Sequence, residues 1–195
     1  MKLLLLLAPA LALRGLRAPL TKPRALAVQA IAPPAVWVAG SVVAGALGAP
    51  FVVKATDDWY NDGSLKKPSW TPPDKVFAPV WTLLYASLGL AGRKAAAAGG
   101  LPTMAVAHFV GNLAWAPLFF GLKKLRAAAA LQLALVGSLY AVFPAFKAAG
   151  AGNLLAPYAA WMAFATALNV DIARRNPDGV VTIADRTPSG VGSLY

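Results

Sequence analysis

Five long apolar segments constrain this chain more than any other feature of its sequence. They lie at about residues 35–53, 77–92, 102–121, 127–146 and 153–173. Each is close to the roughly 20 residues that an α-helix needs to cross a bilayer core, and we expect the short second one to begin earlier, near Pro73. Charged residues make up only 13% of the chain, well below their usual share in soluble domains. The sequence therefore predicts an all-α integral membrane protein with a bundle of five transmembrane helices.

The net charge of +11 does not indicate a nucleic-acid-binding protein. The basic residues occur in short clusters at the ends of apolar segments, such as Arg93-Lys94 and Arg174-Arg175. That placement is typical of membrane topology and of contacts with anionic headgroups. If all five segments span the bilayer, most lysines and arginines lie on the side of the 54–76 loop. The positive-inside rule then places that loop in the cytosol.

Few residues in this chain could perform conventional catalysis or hold a metal ion. The sequence has no cysteine, a single histidine, His108, and seven acidic residues, all of them aspartates. Disulfides and thiolate metal sites are excluded, and paired-carboxylate chemistry has few candidate residues. We therefore predict no catalytic residue, no metal site and no obligatory cofactor.

The two ends of the chain differ from the apolar core. Residues 1–34 combine an apolar run, a small-x-small cleavage pattern and a basic stretch without acids, a composition typical of a signal followed by a transit peptide. A signal anchor or a misassigned gene start are the alternatives. The core domain is then 35–176, and the polar residues 177–195 form a C-terminal tail.

The segment between the first two spans is rich in proline and large aromatic rings. Its sequence includes "WYNDGSLKKPSWTPP", which is long for a plain helix connection. Interfacial anchoring and proline at a helix start explain Trp81 and Pro79. The remainder fits a lid, because loops of about this length are often lids and prolines lower the entropy lost on ordering. We expect Trp59, Tyr60 and Trp70 to roof a cavity.

Three of the predicted helices each have one face that combines polar and aromatic residues. These candidate cavity residues are Trp81 and Tyr85 on the second helix, His108, Asn112 and Trp115 on the third, and Trp161, Ala165, Leu168 and Asn169 on the fifth. Flat apolar walls with a few hydrogen-bonding groups are the usual composition of a small-molecule site. The alternative is that the asparagines join helices by hydrogen bonds and the tryptophans pack or anchor.

Small residues recur every fourth position in three of the spans. The three rows are Gly40, Ala44 and Gly48, then Thr103, Ala107 and Gly111, and then Ala159, Ala163 and Ala167. Such rows allow helix backbones to approach closely in lipid. We therefore expect helix contacts along them, although an alanine-rich sequence also produces such rows by chance.

Three motifs in this chain resemble the TspO/MBR family of tryptophan-rich sensory proteins and translocator proteins. They are the stretch from Trp59 to Gly89, "NLAWAPLFFG" at 112–121 and "PYAAWMAFATALN" at 157–169, in the order found in that family. The resemblance implies a five-helix bundle, commonly a homodimer, with a ligand pocket beneath the first loop. It implies porphyrin or haem as ligand, or sterols and benzodiazepine-type compounds as in animals.

The resemblance also assigns roles to single residues. Trp70 matches the tryptophan of the family's "KPxWxPP", and Trp161 and Ala165 match ligand contacts on its fifth helix. His108 falls where relatives often have glutamine, and it is either an axial haem ligand or a hydrogen-bonded core histidine.

One departure from the family bears on the ligand. The cholesterol motif proposed for the animal proteins needs a tyrosine where this chain has Val170. That favours tetrapyrroles over cholesterol, although the motif is weak even when complete. Asp171 is expected to pair with Arg174 or Arg175, three and four residues further along the helix.

These observations predict a translocator or sensor for tetrapyrroles or similar apolar rings. Light-dependent porphyrin degradation and secondary transport are the alternatives, and the chain has few of the buried charges that couple ion movement. The leader suggests the envelope of a plastid or the outer membrane of a mitochondrion, with the endoplasmic reticulum as an alternative.

Overall fold

A computed structural model describes residues 31–177, 179 and 180, and this part of the chain contains helices and no β-strand. The helices are α1 (Pro34–Ala46), α2 (Ala49–Ala55), α3 (Phe77–Ala98), α4 (Thr103–Ala116), α5 (Leu125–Ala148) and α6 (Gly152–Arg175). The π-helical turns Thr56–Tyr60 and Pro117–Gly121 extend α2 and α4, and the 3-10 turn Asp74–Val76 precedes α3. Most of the predicted targeting segment and of the predicted tail lies outside the described residues.

Prolines and glycines set several of the helix boundaries. Pro34 is the first residue of α1, and Pro102 directly precedes α4. The first turn of a helix does not need the amide hydrogen that proline lacks. Helix α3 ends at Ala98, and the next residue, Gly99, has a φ of 148°, in a region that favours glycine. The sequence therefore starts and stops these helices locally, before tertiary packing contributes.

Four helical segments are long and apolar enough to cross a membrane. They are Pro34–Tyr60, Asp74–Ala98, Thr103–Gly121 and Leu125–Ala148. They coincide with the first four predicted spans, and the second begins at Asp74, next to Pro73, as expected. Helix α6 coincides with the fifth predicted span, but it carries Asn153, Asn169 and Asp171 and is not among the four.

The helices pack in the order α1, α3, α6, α5 and α4 around the bundle, and α2 contacts the π-helical turn that follows α4. The buried apolar residues form two clusters. The first includes Leu139, Tyr158 and Met162, and the second includes Trp59, Phe119 and Leu168. The second cluster lies at the end of the bundle that carries the connection between α2 and α3.

The predicted boundaries of the first loop are wrong at its amino-terminal side. Helical structure continues through Tyr60, so the irregular connection is only 61–73. Trp59 and Tyr60 are buried in the helical extension, where both rings contact Phe120. Burial of these two rings against the π-helical turn after α4 favours continued helix over loop. Of the three expected roof residues, only Trp70 lies in the loop.

The small-residue rows do not mark the closest helix contacts. A Cβ added at Gly45 would overlap the ring of Tyr85, and one at Gly89 would lie 2.5 Å from the carbonyl oxygen of Trp37. By contrast, a Cβ at Gly40 would meet nothing within 4 Å, and Ala163 is exposed. Gly48 of the first row does approach Ala116. The closest contact between α1 and α3 therefore depends on two glycines that the rows do not include.

Candidate functional site

His108 lies in the bundle interior, where it joins α4 to the two helices that follow it. Its Nδ1 is 2.8 Å from Oγ of Ser138 on α5, and its Nε2 is 2.7 Å from the hydroxyl of Tyr158 on α6. The Ser138 hydroxyl donates to the carbonyl oxygen of Leu135 at 2.9 Å, so it accepts from Nδ1–H. Tyr158 then donates to Nε2. His108 is thus a hydrogen-bonded core histidine, the second of the two alternatives.

The same geometry bears on haem ligation. An axial ligand must offer the iron a free nitrogen lone pair, and the Nε2 lone pair accepts a hydrogen bond from Tyr158. Since Nδ1 carries the proton directed at Ser138, neither nitrogen is free. The residues present therefore do not fit an iron bound through His108.

A second polar contact lies one helical turn from His108. The hydroxyl of Tyr85 on α3 donates to Oδ1 of Asn112 at 2.6 Å, and Nδ2 of Asn112 lies 3.7 Å from the sulfur of Met162 on α6. All three side chains are buried. Asn112 therefore joins three helices, as the structural alternative for the asparagines predicts.

These two contacts define how α4 and α6 face each other. His108 meets Tyr158 and Asn112 meets Met162, so both pairs are separated by 50 residues. Because the residue numbers differ by the same amount in both pairs, α4 and α6 run in the same direction. The next turns then bring Trp115 level with Ala165 and Phe119 level with Asn169. Phe119 and Leu168 do belong to the same buried cluster.

Aromatic rings fill the end of the bundle beneath the 61–73 loop. The Trp161 ring lies 6.4 Å from that of Trp81, 5.9 Å from that of Phe77 and 5.1 Å from that of Phe164. Phe164 in turn lies 5.8 Å from the ring of Trp70 in the loop. Residues from the loop, α3 and α6 therefore form one cluster of rings, as the helix faces predict. Trp115 stacks on Phe119 at 5.1 Å.

Several polar atoms at this end are buried without a hydrogen-bond partner. They are Nε1 of Trp115, Nε1 of Trp161, Oε1 of Gln132, and both amide atoms of Asn169. Asn169 is 2% exposed, so its amide is also shielded from solvent. Leaving such a group unpaired costs about 1–3 kcal/mol. This set therefore contrasts with His108, Tyr85 and Asn112, whose polar atoms have partners.

Gln132 is the member of this set that sequence reasoning missed. In the antiparallel pair α4 and α5, His108 meets Ser138, and an added Cβ at Gly111 would lie 3.1 Å from Leu135. The same register brings Gln132 level with Ala114, the residue before Trp115. The available signal was its position, because a polar residue in the middle of an apolar span usually faces the bundle interior.

The loop is attached to the carboxyl-terminal end of α6. Nε1 of Trp70 donates to Oδ2 of Asp171 at 3.2 Å. The side chain of Asn176 accepts from the Lys66 amide at 3.0 Å and donates to the Lys66 carbonyl oxygen at 3.0 Å. Asp171 also pairs with Arg175 at 2.9 Å, which confirms the expected ion pair. Three hydrogen bonds therefore join the loop to Asp171 and Asn176 at this end of α6.

Known proteins with similar sequences were found over most of this chain. Residues 24–175 match the TspO/MBR family. Protein CrtK of Rhodobacter capsulatus is 37% identical over 153 residues, which cover 73% of this chain and 92% of that protein. The tryptophan-rich sensory protein of Cereibacter sphaeroides is 35% identical, with 72% and 92% covered. The translocator protein of Homo sapiens is 37% identical, with 75% and 94% covered.

The match spans every helix described here, α1 to α6, and includes the three motifs on which the resemblance rests. Its extent and the coverage of the relatives confirm the family expected from the sequence. The chain is a membrane protein of the TspO/MBR family.

Proposed function

We propose that this protein binds a tetrapyrrole, porphyrin or haem, between its helices and the 61–73 loop, and acts as a translocator or sensor for it. The observation that carries this proposal is the set of buried, unpartnered polar atoms on Trp115, Gln132, Trp161 and Asn169. Trp161 belongs to the cluster of aromatic rings beneath the loop, and Trp115 stacks on Phe119. A ligand with a large flat apolar surface and a few polar groups could stack on the rings and also form hydrogen bonds with the unpartnered atoms.

The polar set matches the edge of a tetrapyrrole. The indole N–H groups of Trp115 and Trp161 are donors, and the amide of Asn169 offers a donor and an acceptor. Porphyrin carboxylates would accept from the donors, and hydrogen bonds to charged groups contribute about 1.5–3 kcal/mol. Lys66 and Lys67 lie in the loop above, and Lys67 Nζ is 4.1 Å from the centre of the Tyr60 ring. The carboxylate edge of a bound porphyrin would therefore lie near the positive charges of Lys66 and Lys67.

The loop is the lid of this site in the proposal. Trp70 is 44% exposed, and its indole N–H donates to Asp171. Because the rings of Trp81, Trp161 and Phe164 fill the space below the loop, a macrocycle can enter only if the loop and some rings move. Opening the loop requires breaking the hydrogen bond of Trp70 to Asp171 and the two between Asn176 and the Lys66 backbone.

The proposal includes five membrane spans, with α6 as the fifth. Helix α6 has 24 residues, which is long enough to cross a bilayer. Its lower hydropathy follows from polar residues such as Asn153, Asn169 and Asp171, of which Asn169 is buried in the interior. The relatives' names, translocator protein and tryptophan-rich sensory protein, support transport or sensing as the role. An organelle envelope and a homodimer belong to the same proposal.

A titration of the reconstituted full chain with protoporphyrin IX tests this proposal. Binding is read from the shift of the porphyrin absorption band, so that loss of a tryptophan does not alter the signal. We expect Trp161→Phe, which keeps a ring and removes the N–H, to raise Kd about tenfold, since one hydrogen bond to a carboxylate contributes about 1.5 kcal/mol. Asn169→Leu is expected to raise Kd similarly while increasing thermal stability, because it removes an unpaired buried amide.

Trp37→Phe is the matched control for the titration. Trp37 also has a buried, unpartnered Nε1, but it lies at the opposite end of the bundle, so its replacement should leave Kd unchanged. Equal affinity in Trp161→Phe, Asn169→Leu and wild type would contradict the proposed site. Absorption spectra recorded after illumination in air distinguish transport of the porphyrin from its degradation. Only degradation yields a product with a shifted spectrum.

A further inference from the structure

A cavity of about 410 Å³ lies at the end of the bundle away from the 61–73 loop. Its size is within the range of small-molecule sites. The wall comes from the first halves of α1 and α4, the second halves of α3 and α5, and Leu155 near the start of α6. Of the predicted ligand-binding residues only His108 lines it. The cavity is therefore separate from the aromatic cluster of the proposed tetrapyrrole site.

The mouth of this cavity opens sideways, between α1 and α4. The exposed residues in its wall are Val36 and Gly40 of α1 and Val106 of α4. Both helices belong to segments that are long and apolar enough to cross a membrane. The mouth therefore faces the hydrocarbon region of the bilayer, and a ligand would enter from lipid.

The wall offers nothing to a charged ligand. It contains no lysine, arginine or aspartate. Its Ser41 hydroxyl is already directed at the carbonyl oxygen of Tyr85, at 2.7 Å, and both ring nitrogens of His108 have partners. Nε1 of Trp37, whose ring lines the wall, is buried and has no partner among the described residues, so it offers a ligand one uncharged N–H donor. An ionised group placed here would lose its hydration without compensation, at a cost of several kcal/mol.

We propose that this cavity binds one uncharged, largely hydrocarbon molecule, which enters from the bilayer between α1 and α4. The position of the mouth selects a lipid-soluble ligand, and the lack of charged side chains in the described wall selects against an ionised one. A bilayer lipid's acyl chain and a free apolar molecule share this chemistry. The site goes beyond the proposed tetrapyrrole function, because it shares no space with the loop-covered cluster.

Photolabelling of the full chain in nanodiscs tests the proposal. Two probes carry the same diazirine, one as a free long-chain alkane and one as the acyl chain of a phospholipid. We expect saturable labelling of α1 and α4 near Val36 and Val106, located by peptide mass spectrometry. A long-chain methyl ester should compete, and the corresponding ionised fatty acid should not.

Gly40→Leu is the blocking variant, because a side chain there points into space that no atom occupies within 4 Å of its Cβ. Gly137→Leu is its matched control, since Gly137 of α5 is equally open and does not line the cavity. We expect Gly40→Leu to abolish the saturable labelling and Gly137→Leu to retain it. Val106→Phe at the exposed rim narrows the mouth and replaces Gly40→Leu if that variant does not fold.

Saturable labelling by the free alkane identifies a free apolar ligand, and labelling by the phospholipid alone identifies a lipid chain; both support the proposal. Labelling that rises linearly with probe, or that persists in both blocking variants, would overturn it, as would equal competition by the ionised acid. Porphyrin affinity should be unchanged in Gly40→Leu, so failure of this site is distinguishable from failure of the tetrapyrrole site.

Discussion

Individual polar side chains in the bundle differ in whether the protein itself satisfies them. Asn112 and Asn169 are both buried asparagines. Asn112 accepts from Tyr85 and contacts Met162, whereas neither amide atom of Asn169 has a partner. A partnered polar group joins helices, and an unpartnered one costs stability. Asn112 is therefore a structural residue and Asn169 a candidate ligand contact, and what distinguishes them is the presence of a hydrogen-bond partner.

Tyr85→Phe is expected to destabilise the protein by about 1 kcal/mol, because it leaves Oδ1 of Asn112 buried without a donor, and hydrogen bonds between helices in membranes contribute about 0.6–2 kcal/mol. Unfolding in mixed micelles by increasing sodium dodecyl sulfate measures the change. Adding Asn112→Leu to Tyr85→Phe should cost less than the sum of the two single changes. Strict additivity would show that the two side chains do not interact.

Helices α1 and α3 approach each other closely at two glycines. The backbone of α1 at Trp37 lies against Gly89 of α3, and the Tyr85 ring of α3 lies against Gly45 of α1. The Ser41 hydroxyl also donates to the Tyr85 carbonyl oxygen at 2.7 Å. Close backbone approach through glycine replaces the hydrophobic effect as the source of helix association in lipid. The position of α1 therefore depends on residues without side chains.

Gly89→Ala is expected to destabilise the bundle by about 1–3 kcal/mol, the usual cost of an overpacked site. Its Cβ would lie 2.5 Å from the carbonyl oxygen of Trp37, so α1 would have to move. Gly137→Ala, at a helix position with nothing within 4 Å, should be neutral or more stable by up to about 1 kcal/mol, from helix propensity. Thermal unfolding in detergent, followed by circular dichroism, compares the two, and equal effects would contradict the close contact.

At the scale of the whole molecule, the 61–73 loop returns to the far end of the sequence. Asn176 bonds the Lys66 backbone at both its amide and its carbonyl, across 110 residues, and also donates to the Ile172 carbonyl oxygen at 2.8 Å. Asn176 is 5% exposed, so this clasp is shielded from water. The end of α6 therefore both anchors the loop and carries the polar residues beneath it.

Asn176→Ala is expected to speed hydrogen exchange across the loop about 5- to 150-fold, because losing the clasp removes about 1–3 kcal/mol of local stability. Exchange measured by mass spectrometry, peptide by peptide, locates the change. The control is Asn153→Ala, because Asn153 is exposed near the start of α6 and away from the clasp. Unchanged exchange over 61–73 would show that the clasp does not hold the loop.

The sequence by itself determined the family, the all-helical class and the approximate positions of the helices, apart from the extension through Tyr60. Three sequence motifs indicate the family, and apolar segments of membrane length, with prolines near several of their starts, indicate the helices; Trp161 and Asn169 were placed on one face of the last helix. The register of the candidate face on α4, from His108 to Trp115, also follows from helical period alone.

Only the tertiary structure decided which of those residues are free to bind. His108 is held by Ser138 and Tyr158, which belong to helices whose register no single segment reveals. Trp59 lies in a helix and not in the loop, because Phe119 and Phe120 bury it. The lateral cavity also depends on the spacing of α1 and α4, which their sequences do not encode. Hydrogen-bond partners and empty space are properties of the packed helices, whereas helical period is a property of each sequence segment.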